Sequence, residues 1–334
     1  MGALPGGVDV PVSQVQPQHA IREKATVDFT TLPRRPIPPP VRRRRFLSTV
    51  ANHAVLIALS AVFIFPIVFL VLTSLMTDTQ ANTNELWPSP FQWNNFVRVF
   101  EVSALSTYVW NSVRIALVSM IGTVLATIPV AYALSRMRWR GRQAAFVIIL
   151  ATLMLPFQVT VVPLYVTFVR LPDLLDQYLP FLGSLPIIGD PWIPSLKPLI
   201  IPAFFGDAFS IFLLRQFFLT IPDELTDAAR VDGASEWQIM TRVVVPLAKP
   251  AIAAVAPFHF LWSWNDFFGP LLYLIDDPSL WTVPIGLSEF ETLHHVEWNL
   301  LMAACVLFMV PVIVLFFMAQ KVFIEGVTLT GVKG

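Results

Sequence analysis

The stretch Arg42–Ser74, RRRRFLSTVANHAVLIALSAVFIFPIVFLVLTS, decides which solvent this chain is built for. From Thr49 onward it holds no Asp, Glu, Lys or Arg. A helix needs only about 20 such residues to cross ~30 Å of hydrocarbon. The four leading arginines fit the cytoplasmic end of a span, where they meet anionic headgroups. A nucleic-acid role for them is disfavoured by the nearness of the span.

Upstream, Pro33, Pro36, Pro38, Pro39 and Pro40 crowd a segment too poor in apolar runs to bury a core. Residues 1–48 are therefore expected to be a disordered, basic cytoplasmic tail. No small-residue cleavage site follows the apolar run, so it is expected to remain as an anchor rather than leave as a signal peptide. Over the 334 residues, 55% are hydrophobic and 13% charged, against roughly 25% charged in soluble domains. The deficit again points to lipid. The formal net charge of zero hides a strong segregation of Lys and Arg along the chain. Cys305, the single cysteine, lies in an apolar run and supports neither a disulfide framework nor a thiolate metal cluster.

Six segments are long enough to span: Thr49–Ser74, Thr107–Leu134, Ala144–Val169, Pro198–Leu219, Ala251–Ile275 and Leu300–Phe323. Arg136, Arg138, Arg140 and Arg142 fill the second connection; Arg215, Arg230, Arg242 and Lys249 lie in or beside the fourth. The other connections are poor in Lys and Arg, and the fifth carries Asp276, Asp277, Glu289, Glu291 and Glu297 instead. Both termini are thus expected in the cytoplasm. The fold class is all-α, a polytopic membrane protein with six transmembrane helices over residues 49–323, followed by a cytoplasmic tail at 324–334. Trp87, Trp93 and Trp192, with Pro186, Pro191 and Pro194, mark the outer connections. They suit either an aromatic belt or contact with an external partner. The Pro-rich outer stretch 171–197 is long.

The fourth connection, 220–246, reads as helix, turn and helix. Pro222 suits an early helical position, Asp223 and Glu224 suit the positive end of the dipole, and Gly233 suits a left-handed stop. Ser235 and Gln238 then have capping-box spacing. Asp227-Ala228-Ala229, Gly233 after three residues, and Val243-x-Val245-Pro246 after nine more resemble the EAA loop of binding-protein-dependent ABC importer permeases. That loop reads Glu-Ala-Ala, three residues, Gly, nine residues, Ile-x-Leu-Pro. Asp227 departs from the family Glu by one methylene, which shortens its reach for a salt bridge. The text around it, Ile211-Phe212-Leu213-Leu214-Arg215-Gln216-Phe217-Phe218 and Trp262-Ser263-Trp264-Asn265-Asp266-Phe267, is similar to the carbohydrate-uptake branch, the maltose and glycerol-3-phosphate type, in its second-subunit form.

The resemblance implies an ABC type I importer permease fold in a cell inner membrane, and a heterodimer with a related permease. It also implies two ATPase subunits that bind ATP and Mg, and an extracytoplasmic solute-binding protein. The chain itself is expected to hold no cofactor and no metal. By the same resemblance Asp227, Ala228, Ala229, Gly233 and Pro246 couple to the ATPase, and Lys333 and Gly334 reach between the ATPase subunits. A sugar or oligosaccharide is the implied substrate, with glycerol-3-phosphate or a glycerophosphodiester as the alternative. No Gly-x-x-x-x-Gly-Lys-Ser/Thr sequence occurs, so ATP is bound in trans and the chain is not an enzyme.

Polar groups inside spans mark a candidate path, because each costs free energy in lipid. They are Gln158, Asp207, His259, Asn265 and Asp266, with Trp262 and Trp264 beside the last two. Trp262-Ser263-Trp264-Asn265-Asp266 mixes aromatic faces with amide and carboxylate, which suits a sugar ring or, equally, helix packing and gating. Asp207 is expected near mid-membrane in the fourth span, facing the bundle interior and pairing with Arg114, although Arg114 can instead snorkel. His259 reads as a satisfied interior histidine. His294 and His295 lack metal-ligand spacing. A secondary transporter would show repeated halves with broken helices, and an intramembrane enzyme a nucleophile and base; neither pattern is evident.

Overall fold

The computed structural model describes residues 39–83, 85–291 and 296–331. The expected tail from residue 1 to 38, and Lys333 and Gly334, lie outside these. The chain divides into two compact units between Ala61 and Val62, within the first helix, α1 (Pro39–Ser74). That helix starts ten residues earlier than the apolar run does. Prolines at its first two positions need no N–H partner, and the arginines that follow are good helix formers.

In the second unit, a short amphipathic helix α2 (Asn95–Val102) precedes the long α3 (Leu105–Ser135). Helix α3 is the hub, packed by α6 (Ala208–Thr220) and α9 (Lys249–Trp264). Its buried positions include Ala116, Ser119, Gly122, Thr123 and Ala131, small residues that let backbones approach. A Cβ on Gly122 would sit 2.6 Å from the Phe204 ring. At the other end Asn111 Nδ2 donates to the Ser279 and Trp281 carbonyls, at 2.9 and 3.0 Å.

The expected third span is split. Helix α4 (Arg142–Thr152) stops before Pro156, and α5 (Phe157–Tyr178) follows. Proline lacks the N–H that would continue the ladder and biases the preceding residue away from helix. Part of the supposed outer loop 171–197 thus belongs to α5. Within the remainder Trp192 is buried and stacked on Phe168 at 5.2 Å, so it serves neither as a belt nor as an external contact.

The fourth span is broken as well: Lys197–Ile200 runs into a 3-10 turn, Ile201–Phe205, and Gly206 takes φ +78 before α6 begins. Asp207 is therefore an N-cap, accepting from the Ser210 N–H at 2.9 Å, and not a mid-helix residue. The fourth connection forms α7 (Asp223–Val231) and α8 (Glu236–Leu247), the latter bent by 80° from α9 across Ala248. A π turn at Met240–Val244 leads into Pro246. Helix α9 ends at Trp264 and α10 (Phe268–Leu274) follows, where one continuous span to Ile275 was expected. The last helix, α11 (Trp298–Gly331), carries straight through the expected tail start at 324.

Among the described residues five helices, with Lys197–Thr220 counted as one, are long and apolar enough to cross a membrane, and the bent α8–α9 pair, taken as one span, makes the sixth.

Candidate functional site

Helix α7 and the start of α8 rest on α3 and α6 through an apolar seam. Ile239, Met240 and Val244 are buried against Ala131, Tyr132, Leu214 and Phe218, with Ala229 and Ala234 at its margin. Alternation at helical spacing then decides what faces out. Ala228 is exposed, Val231 is 88% exposed and Trp237 67%. Apolar side chains on this hairpin are thus left to solvent beside the acids Asp227 and Asp232.

The turn between the two helices follows from Gly233, at φ +82. Its neighbours close the end of α7: Gly233 N–H donates to the Arg230 carbonyl and Ala234 N–H to that of Ala229, both at 3.0 Å. Ser235 then opens α8. Its Oγ accepts from Gln238 N–H at 3.3 Å, and its own N–H donates to Gln238 Oε1 at 2.8 Å, a complete capping box.

Electrostatics hold this hairpin to the bundle. Arg136, 7% exposed, donates to the Asp223 carboxylate and to the carbonyls of Phe218 and Ile221. It thereby satisfies the last carbonyls of α6 and seats the first turn of α7 in one stroke. A chain of contacts continues from there: Tyr132 OH donates to Glu236 Oε2 at 2.5 Å, Arg230 Nε donates to Glu236 Oε1 at 3.0 Å, and Arg230 Nη1 donates to Asp227 Oδ1 at 2.8 Å. The hydrogen bond from Arg230, then that from Tyr132, holds the Glu236 carboxyl below the usual carboxylate range. Glu236 in turn pushes Arg230 above its ordinary value. Asp227 thus pairs within its own chain, while its side chain remains 61% exposed. Pro246 is exposed and sits just before the 80° bend.

A second constellation lies between α6 and α9. Asp207, His259 and Trp262 line one cavity of about 590 Å³ with Phe209 and Phe258. Asp207 Oδ2 is buried without a hydrogen-bond partner, and His259 Nδ1 lies 3.9 Å from it. His259 also touches Thr123 Oγ1, at 3.3 Å from Nδ1 and 3.2 Å from Nε2. Arg114 is not the partner of Asp207. It precedes Thr123 by nine positions on α3, which is about 13 Å of helical rise.

The other candidates fall elsewhere. Trp264 is 1% exposed and stacked on Phe308 at 5.0 Å, its Nε1 donating to the Phe308 carbonyl at 3.3 Å. Asn265 Nδ2 donates to the Leu261 carbonyl at 2.8 Å, and Asp266 Oδ1 accepts from Gly269 N–H at 3.1 Å. These three pack and terminate α9. Gln158 is exposed in the first turn of α5, outside the cavity lining. Sequence reasoning missed Arg136, Tyr132 and Glu236 as site residues; the Arg-rich connection was the only signal, and it read as topology.

Residues 120–328 match the protein family described as binding-protein-dependent transport system inner membrane component. The arabinooligosaccharides transport system permease protein of Halalkalibacterium halodurans is 33% identical over 81% of this chain and 91% of its own length. The sn-glycerol-3-phosphate transport system permease protein of Brucella abortus is 30% identical, covering 86% of this chain and 98% of that one. A chain in the crystal structure of a bacterial ABC transporter that imports the polysaccharide alginate superposes with a TM-score of 0.69 at 22% identity, over 86% of this chain and 99% of its own.

Proposed function

The chain belongs to the family of binding-protein-dependent transport inner membrane components, and from that premise we propose that it forms half of a translocation path for a sugar or oligosaccharide. It is a non-catalytic permease subunit of an ABC importer, and ATP is hydrolysed in a separate subunit. A related permease, two ATPase subunits that bind ATP and Mg, and an extracytoplasmic binding protein complete the assembly.

The observation that carries this reading is the α7–α8 hairpin: an acid, Asp227, flanked by exposed Ala228, Val231 and Trp237 on a frame pinned through Arg136. A lever transmits force only if it is rigid toward the bundle and adhesive toward its driver. Asp227, Ala228, Ala229 and Gly233 are the coupling residues in this reading: the alanines allow close docking, and Gly233 sets the turn. Pro246 holds the bend to α9. The distribution of arginines supports a cytoplasmic hairpin and two cytoplasmic termini.

Asp207, His259 and Trp262 belong to the path. A carboxylate beside aromatic faces favours a hydroxyl-rich, uncharged solute. It disfavours a phosphate ester, since the cavity lining has no Lys or Arg. This supports sugar over glycerol-3-phosphate, although relatives named for both are similar to the chain.

Purification of the chain with its ATPase subunit tests the assignment. Asp227→Lys should lose that partner while the two permeases stay together. Retention of the ATPase at wild-type stoichiometry would sink the coupling assignment.

A further inference from the structure

Where the α3–α4 turn meets α7 there is a cavity of about 680 Å³, lined by Arg136, Arg138, Arg142 and Arg230 against only two carboxylates, Asp223 and Asp227. A neighbouring cavity of about 450 Å³ shares Arg136, Arg138, Asp227 and Arg230 with it. The carboxylates are taken: Asp223 by Arg136 and Asp227 by Arg230. Among the described residues Arg142 donates to the backbone carbonyls of Ser135 and Met137, at 3.4 and 3.1 Å, and to no carboxylate. Arg138 is exposed and forms no ion pair among the described residues. Even Arg136, deeply buried, has an Nε without a hydrogen-bond partner. With Glu236, which lines the neighbouring cavity and also pairs with Arg230, four arginines face three carboxylates, so one net positive charge is in surplus around a space large enough for a phosphodiester.

The depth of the cavity identifies its occupant. Its turn begins where apolar α3 ends at Ser135 and closes where α4 begins at Arg142, which is headgroup level. Trp139, with its Nε1 donating to the Ala133 carbonyl at 3.1 Å and its ring exposed, is an interfacial side chain on the same turn. Val147 and Ile148 continue along α4 as exposed apolar residues, a track for an acyl chain. Basic pockets at the cytoplasmic ends of spans suit anionic headgroups.

We propose that this cavity binds the phosphodiester headgroup of an anionic phospholipid, and that the bound phosphate competes with Asp227 for Arg230. The lipid thereby frees the Asp227 carboxylate for the ATPase subunit; this consequence rests on the coupling assignment above.

The complete transporter, reconstituted in nanodiscs of phosphatidylcholine with or without phosphatidylglycerol, tests it by native mass spectrometry of retained lipid. Wild type should retain phosphatidylglycerol, and Arg138→Gln should lower retention by about fivefold, the worth of one basic residue near an anionic surface. Arg138→Lys should keep most of it, and Arg98→Gln all of it. Equal retention in Arg138→Gln would overturn the proposal. So would phosphatidylcholine held as firmly, or inorganic phosphate alone displacing the lipid. Lipid bound only after the ATPase is stripped would also overturn it, since acidic groups of that subunit would then fill the cavity. Retention is read without ATP turnover, so an error in the coupling assignment leaves it unchanged. An error in the lipid site leaves ATPase copurification unchanged.

Discussion

The Arg136 guanidinium binds the Asp223 carboxylate while two of its N–H groups hold the Phe218 and Ile221 carbonyls, so one side chain from the end of α3 joins the end of α6 to the beginning of α7. The loop helix is thereby tied to two membrane helices at once.

Replacing the cation tests this. Arg136→Met leaves two carbonyls without their charged donor and should cost about 3 kcal/mol, seen as a lower melting temperature of the solubilised permease pair. Asp223→Asn should cost under ~1 kcal/mol, because the Asp223 side chain is 81% exposed. Equal losses in the two variants would show that the ion pair, not the carbonyl clamp, does the fastening.

Gly233 is needed for its backbone alone. Beyond its two chain neighbours no atom lies within 4 Å of a Cβ built there, yet φ is +82. Gly233→Ala should destabilise the hairpin by about 1–2 kcal/mol, and Gly233→Asn by less, since Asn tolerates left-handed geometry. Uptake by whole cells should follow the same order; an Asn variant worse than Ala would refute it.

Asp207 has a structural task and a proposed transport task that substitution can separate. Asp207→Asn keeps the N-cap and should assemble normally with reduced uptake. Asp207→Leu also loses the cap, about 1 kcal/mol, and should impair both. Normal uptake by the Leu variant would remove Asp207 from the path.

The Glu236 carboxyl, held below its usual range by Arg230 and Tyr132, predicts a pH dependence. A depressed carboxylate contributes stability that is present above its unfolded value, about 4.3, and is lost as pH falls through the folded value. Differential scanning fluorimetry should therefore show a Glu236-dependent contribution unchanged between about pH 8 and 5 and declining below about 4. In Glu236→Gln this acid step should be missing; a loss near neutral pH would point to another group.

The locations of the apolar segments and the hairpin 220–246 were legible because hydropathy, capping residues and Gly233 act locally, within a few residues of chain. Three span interiors were not. Pro156, Gly206 and Asn265 sit in runs apolar enough to read as continuous, and whether a backbone breaks there depends on which neighbours receive the freed N–H and C=O groups. The same limit hid the Asp207–His259 contact, between residues on different helices.

Sequence alone determined that this protein is membrane-embedded, how many times it crosses, and which loop carries the coupling motif, since transfer from water to lipid is a property of each segment separately. Only the tertiary structure decided that Arg136 fastens that loop, that Trp264 is buried against Phe308, and that Asp207 meets His259. Burial and pairing between residues 44 to 87 positions apart depend on how helices cross, and no local pattern encodes a crossing.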